Sequence, residues 1–174
     1  LAGGKGVDEI REALPFLTDF FQKHAGWPAT WYVRLDSQIE AVYGSADHVF
    51  RSCTKHLGVL KRLGHEVGWH PHSYASSGGQ WVQNTDGTAV RSELRRHAKR
   101  AKQCGCLSVR MGWGYHVNDT MHELAALGFT VDSSAIPRPR YPWEESAKDW
   151  STTPDCMYYP SVADYRVPGE PHLP

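Results

Sequence analysis

Gly64-His65-Glu66-Val67-Gly68-Trp69-His70-Pro71-His72-Ser73-Tyr74 holds three histidines within eight residues, and the fold is read outward from it. Gly64 ends a helical pattern, the run from Glu66 to Trp69 follows as a strand, and Pro71 biases His70 towards an extended backbone. Residues i and i+2 of a strand share a face, so His70 and His72 present two imidazoles side by side. That pair suits a divalent metal, zinc in particular. The plainer alternative is a solvated loop with hydrogen-bonded histidines.

The order helix, glycine, strand recurs on both sides of this stretch. Val7 to Ala25 places Ile10, Leu14, Leu17 and Phe21 at helical spacing, with Gly26 at its end and Pro15 as a candidate kink. Pro28 to Leu35 is short and rich in β-branched and aromatic residues, which predicts a buried strand ending at Asp36. A helix over Ala46 to Leu63 precedes the histidine strand, and Ser73 to Gly87 reads as a loop. A third helix, Thr88 to Gln103, turns Val90, Leu94, Ala98 and Ala101 inward, and Leu107 to Met111 follows as a strand carrying Arg110 to its end. Asn118 is a candidate N-cap for a fourth helix closed by Gly128, followed by the strand Phe129 to Val131 and then Asp132.

Four such units predict an α/β fold, a parallel sheet or barrel with helices outside. In such folds the C-terminal strand ends line the active site. Here those ends carry Asp36, His70 with His72, Arg110 and Asp132.

The totals narrow the function classes. The 174 residues form one domain's worth of chain, of which 136–174 is a proline- and aromatic-rich extended segment. Prolines recur there too often for regular helix, and Tyr141, Trp143, Trp150, Tyr158, Tyr159 and Tyr165 offer either packing or ligand stacking. Nineteen basic and nineteen acidic residues cancel, which argues against a dedicated nucleic-acid or membrane-surface binder. The basic run Arg91 to Lys102 lies on a helical pattern and reads as a solvated face. No stretch has the length of a membrane span, and the four cysteines are too scattered for a disulfide framework.

Taken together, Pro28-Ala29-Thr30-Trp31-Tyr32-Val33, Gly64 to His70, Val109-Arg110-Met111-Gly112-Trp113-Gly114 and Leu127 to Ser134 resemble the motifs of the polysaccharide deacetylase, or NodB-homology, family. They stand in that family's order and span most of residues 7–137. The resemblance implies a distorted (β/α) barrel, here incomplete, and a metal-dependent hydrolase that removes N-acetyl groups from a carbohydrate or cleaves a related linear amide. It makes His70 the first metal histidine. The family's second histidine lies four residues on, where this chain has Tyr74, so the role passes to His72. It also implies that Arg110 orients the catalytic aspartate, that His65 is structural, and that Trp69, Tyr74 and Trp113 contact substrate.

The family's aspartate-bearing first strand and its late histidine motif have no counterpart here, and His172 lacks the context for the latter. The chain therefore reads as an internal piece of a longer deacetylase-like protein. Taken as it stands, Asp36 is the best third metal ligand, with a loop-capping aspartate as the alternative. A zinc ion would activate water and polarise the amide carbonyl, while a carboxylate base and an acid move the protons. A non-catalytic carbohydrate binder and a structural zinc module are the competing readings.

Overall fold

A computed structural model describes residues 5–24, 26–138 and 146–171. In chain order the elements are α1 (Lys5–Lys23), β1 (Thr30–Arg34), α2 (Ser37–Tyr43), α3 (His48–Ser52), α4 (Thr54–Arg62), β2 (Glu66–His70), β3 (Tyr74–Ser77), β4 (Gln80–Gln83), α5 (Gly87–Gln103), β5 (Ser108–Val109), α6 (Asn118–Ala126) and β6 (Val131–Asp132). Strands β1, β2, β5 and β6 form one parallel sheet in that spatial order, each new strand adding beside the last. The expected alternation of helices and parallel strands is therefore present. Among the described residues the sheet is open and does not close into a barrel.

The two faces of the sheet differ in chemistry because side chains alternate along each strand. Leu35, Val67, Trp69 and Val109 are buried against α-helical residues such as Leu60, Val90 and Leu94. The other face carries Tyr32 and Arg34 from β1, Gly68 and His70 from β2, and Ser108 and Arg110 at β5. Trp69 anchors the first face: it is fully buried and its indole N–H donates to Leu35 O at 2.8 Å. Burying such a side chain contributes about 1.5–3 kcal/mol or more.

Several local expectations change against the structure. The helix foreseen over Ala46 to Leu63 is two shorter helices broken at Cys53, and α2 was not foreseen at all. Asp36 starts α2 by accepting from Ile39 N at 3.0 Å, and Gly44 ends it at φ 78°, a conformation glycine adopts without strain. The expected loop at 73–87 contains the antiparallel hairpin β3–β4, turned by Gly78 and Gly79 with φ 56° and 77°. α1 runs through Pro15 as one helix, and Ile10, expected inward, is exposed. Asn118 does not cap α6; its side chain donates to Ala163 O and accepts from Tyr165 N.

The basic run on α5 is an outer face, as expected. Arg95 pairs with Glu123, Arg96 with Glu40 and Arg100 with Asp47, while Val90, Leu94, Ala98 and Ala101 turn inward. No disulfide joins Cys53, Cys104, Cys106 and Cys156. Among the described residues no helix is long and apolar enough to cross a membrane. In the last segment Trp150 and Tyr165 are buried on His116 and donate to Gly114 O and His116 O, so this stretch packs onto the connection between β5 and α6. Tyr141, Trp143 and His172 lie outside the described residues.

Candidate functional site

Extended backbone through Pro71 puts the two imidazoles on one side of the strand end, as the i, i+2 spacing requires. His70 Nε2 and His72 Nε2 lie 3.0 Å apart. The other ring nitrogen of His70, Nδ1, lies 2.6 Å from Arg110 O. A carbonyl only accepts, so Nδ1 carries the proton and donates, leaving the Nε2 lone pair of His70 free to face His72. The backbone of the next strand thereby fixes the tautomer.

Both imidazoles are held neutral. Burial pushes His70 below its ordinary range, with the Arg34 charge acting in the same direction. Burial, Arg34 and the neighbouring His70 together push His72 down to about 3. Neutral imidazole is the form that ligates a metal.

The wall beside the pair is aromatic. The Tyr74 ring stacks on His72 at 5.2 Å and 5° between planes, and Trp113 Nε1–H donates to Tyr74 Oη at 2.9 Å. Trp113 stands edge-on to His72 at 6.3 Å and is 61% exposed. Its φ of 60° is the left-handed conformation, the one such case outside glycine among the described residues. A bulky residue held there costs about 1–2 kcal/mol, and strain of this kind concentrates at functional sites. Gly112 precedes it with its N–H on Pro71 O at 2.8 Å, which ties the Trp113 turn to the histidine loop.

Not every expected site residue is in the cleft. Trp69 is fully buried on the helical face, so it supports the strand from beneath and contacts no substrate. Asp36 is fully buried, and its oxygens accept from Arg34 Nε and Nη2, from Ile39 N and, at 3.4 Å, from His72 N. Its placement is that of the capping aspartate. No third His, Cys, Asp or Glu among the described residues joins His70 and His72 in a metal-sized cluster. Among the described residues no carboxylate pairs with the Arg110 guanidinium; Nη2 donates to Ser133 Oγ at 2.9 Å and the group lies 5.2 Å over the Tyr32 ring. Asp132 is turned away towards His116, its Oδ2 3.0 Å from Nε2. His65 is buried, with Nδ1 accepting from Ala29 N, a structural placement.

One residue at the site was not singled out from the sequence. Arg34 sits level with His70 across the β1–β2 pairing, and its guanidinium lies 5.9 Å from the Tyr74 ring centre. Its position two residues before Asp36 marks it as a strand-end residue, the one signal that could have found it. Three comparisons, with family models, with curated proteins and with solved structures, gave no match for the chain.

Proposed function

We propose that this chain carries the histidine pair of a metal-dependent hydrolase that removes N-acetyl groups from a carbohydrate or cleaves a related linear amide. We further infer that its four-stranded sheet is an arc of the distorted (β/α) barrel of the polysaccharide deacetylases. The observation that carries the reading is the 3.0 Å approach of two neutral imidazoles, one oriented by Arg110 O. Backbone carbonyls orient metal-bound histidines in this way in many zinc sites. Strand addition in chain order on one side, with a single apolar face, is the pattern of a barrel arc.

Zinc, when bound, supplies an activated water and polarises the amide carbonyl. His70 and His72 would hold it through Nε2. Arg110 O keeps the His70 tautomer, and Tyr74 limits rotation of the His72 ring by stacking on it. The exposed indole of Trp113 offers a sugar ring an apolar face beside the pair.

The test is a titration of the chelator-treated protein with zinc, and with cobalt for its visible spectrum. His70→Gln and His72→Gln are measured alongside. Saturable binding lost in both variants supports the reading, as does release of acetate from N-acetylglucosamine oligomers. Zinc binding that survives both changes would remove the pair from the site. A second reading, a non-catalytic carbohydrate binder, is favoured by the engagement of Asp36 with Arg34 and predicts oligosaccharide binding that is indifferent to zinc.

A further inference from the structure

We propose that Asp132 and Ser134 are positioning residues for His70, acting through the peptide unit between Arg110 and Met111. This deepens the hydrolase reading above and rests on it for the metal that His70 would meet. Met111, His116, Thr120 and Ser134 are all buried, so the connection runs through the interior.

One peptide group carries it. The carbonyl, Arg110 O, accepts from His70 Nδ1–H at 2.6 Å, and the amide, Met111 N–H, donates to Ser134 Oγ at 2.8 Å. The two bonds leave opposite ends of a planar, conjugated unit, so the amide cannot turn without turning the carbonyl. Donation at the N–H also draws electron density onto the oxygen, which makes Arg110 O a stronger acceptor for the imidazole. The placement follows from register. Val109 pairs with Asp132 and Ser133 N–H donates to Val109 O, which brings the Ser134 hydroxyl to the next donor beyond β5, Met111 N.

The direction of the protons fixes what holds Ser134. Its hydroxyl donates to Asp132 Oδ2 at 3.1 Å, which turns an Oγ lone pair towards Met111 N–H. Asp132 Oδ1 accepts from Ser134 N at 2.8 Å, so the carboxylate grips both the backbone and the hydroxyl of that residue. His116 Nε2 lies 3.0 Å from the same Oδ2, and a carboxylate only accepts, so Nε2 carries a proton and donates. On its far side His116 Nδ1 meets Thr120 Oγ1 at 3.1 Å. Asp132 is thus the acceptor on which the whole chain of bonds converges.

A carboxylate behind the outer nitrogen of a metal-binding histidine raises its basicity and fixes its ring. Here a hydroxyl and a peptide unit stand between the two, and Asp132 reaches His70 through three hydrogen bonds in a row. The simpler account is that Ser134 only satisfies a buried amide. The two accounts differ in what His70 feels when the hydroxyl is removed.

The experiment records the His70 ring nitrogens and Nδ1–H of the zinc-free, isotope-labelled protein by NMR. Ser134→Ala removes the hydroxyl. Thr120→Val is the matched control, because it removes an equally buried hydroxyl from the far side of His116. In Ser134→Ala the Nδ1–H signal is expected upfield of wild type and exchanging with solvent about tenfold faster, while Thr120→Val stays within about twofold. Asp132→Asn is expected to move the signal in the same direction. Ser134→Cys keeps a weak donor and acceptor, should fall between wild type and Ser134→Ala, and is read in its place if the alanine variant does not fold. An unchanged His70 signal in the folded Ser134 variants overturns the proposal. Equal acceleration in Thr120→Val overturns it too, by marking a general loosening of the sheet end. Zinc titration of the same samples reads the metal separately, and affinity about tenfold weaker in Ser134→Ala supports the positioning role. A wild type that binds no zinc removes the hydrolase reading, and the His70 signal then decides the relay by itself.

Discussion

The His72 ring lies so close to Gly112 that a Cβ at Gly112 would stand less than 3.0 Å from three ring atoms, Nδ1 among them. Gly112 N–H is fixed on Pro71 O, so the backbone cannot retreat without breaking the link to the histidine loop. The imidazole must move instead, and His72 Nε2 moves away from His70. We predict that Gly112→Ala costs about 1–3 kcal/mol of stability, the range for overpacking. Zinc affinity should fall by about tenfold or more, the equivalent of 1.4 kcal/mol. Thermal melts and zinc titration check both, and wild-type affinity in Gly112→Ala would show that the ring position is not what the metal reads.

Trp113 gives a prediction with two arms. At φ 60° a glycine is unstrained, whereas alanine keeps the strain and loses the indole. Trp113→Gly and Trp113→Ala both lose the hydrogen bond to Tyr74, so their difference isolates the backbone. Trp113→Gly is expected to be more stable than Trp113→Ala by about 1 kcal/mol. Both should bind oligosaccharide more weakly than the wild type. Equal melting temperatures for the two variants would mean that the backbone at 113 stores no strain.

What the sequence made legible was whatever depends on periodicity and on the i, i+2 rule. Val90, Leu94, Ala98 and Ala101 sit four or three residues apart and bury as a helix face must, and His70 and His72 converge as strand geometry requires. The hairpin was missed because Tyr74-Ala75-Ser76-Ser77 and Gln80-Trp81-Val82-Gln83 lack the alternation of a half-buried strand. Only the pair Gly78-Gly79 signalled it. Trp69 is apolar and adjacent to the histidines in sequence, yet adjacency along a strand means opposite faces, which places it in the core. The partners of Asp36 and the placement of Arg34 level with His70 depend on which strands are neighbours and at what register, and neither is written in any local pattern.

Protonation of His72 gives a pH prediction for the zinc-free protein. Its folded pKa, about 3, lies below the ordinary value of 6.5, and His70 shifts in the same direction. Above about pH 6.5 the ring is neutral folded or unfolded, and the native state bears no penalty. As pH falls from 6.5 towards 3, the unfolded chain binds a proton that the folded protein refuses, and stability is lost progressively. His72→Asn removes this contribution. Urea midpoints measured from pH 7.5 to 4.5 should therefore fall more steeply in the wild type than in His72→Asn, and parallel curves would count against a buried neutral imidazole.

Asp36 separates a cap from a metal ligand. Asp36→Ala removes the acceptor for Ile39 N, a loss of about 1 kcal/mol, and strips Arg34 of its ionic partner. Arg34 keeps 23% of its side-chain surface exposed, so the second loss falls below the 3–5 kcal/mol of a fully buried pair, at roughly 1–2 kcal/mol. Asp36→Asn keeps a carbonyl oxygen for the cap and one bond to Arg34, and should retain at least about half of that stability. The carboxylate meets His72 only at its backbone N–H, so zinc affinity in Asp36→Asn should stay within about threefold of wild type, or under 1 kcal/mol. Denaturant melts and zinc titration of the two variants are read together. A loss of affinity beyond tenfold in Asp36→Asn, with the fold intact, would return Asp36 to the ligand set.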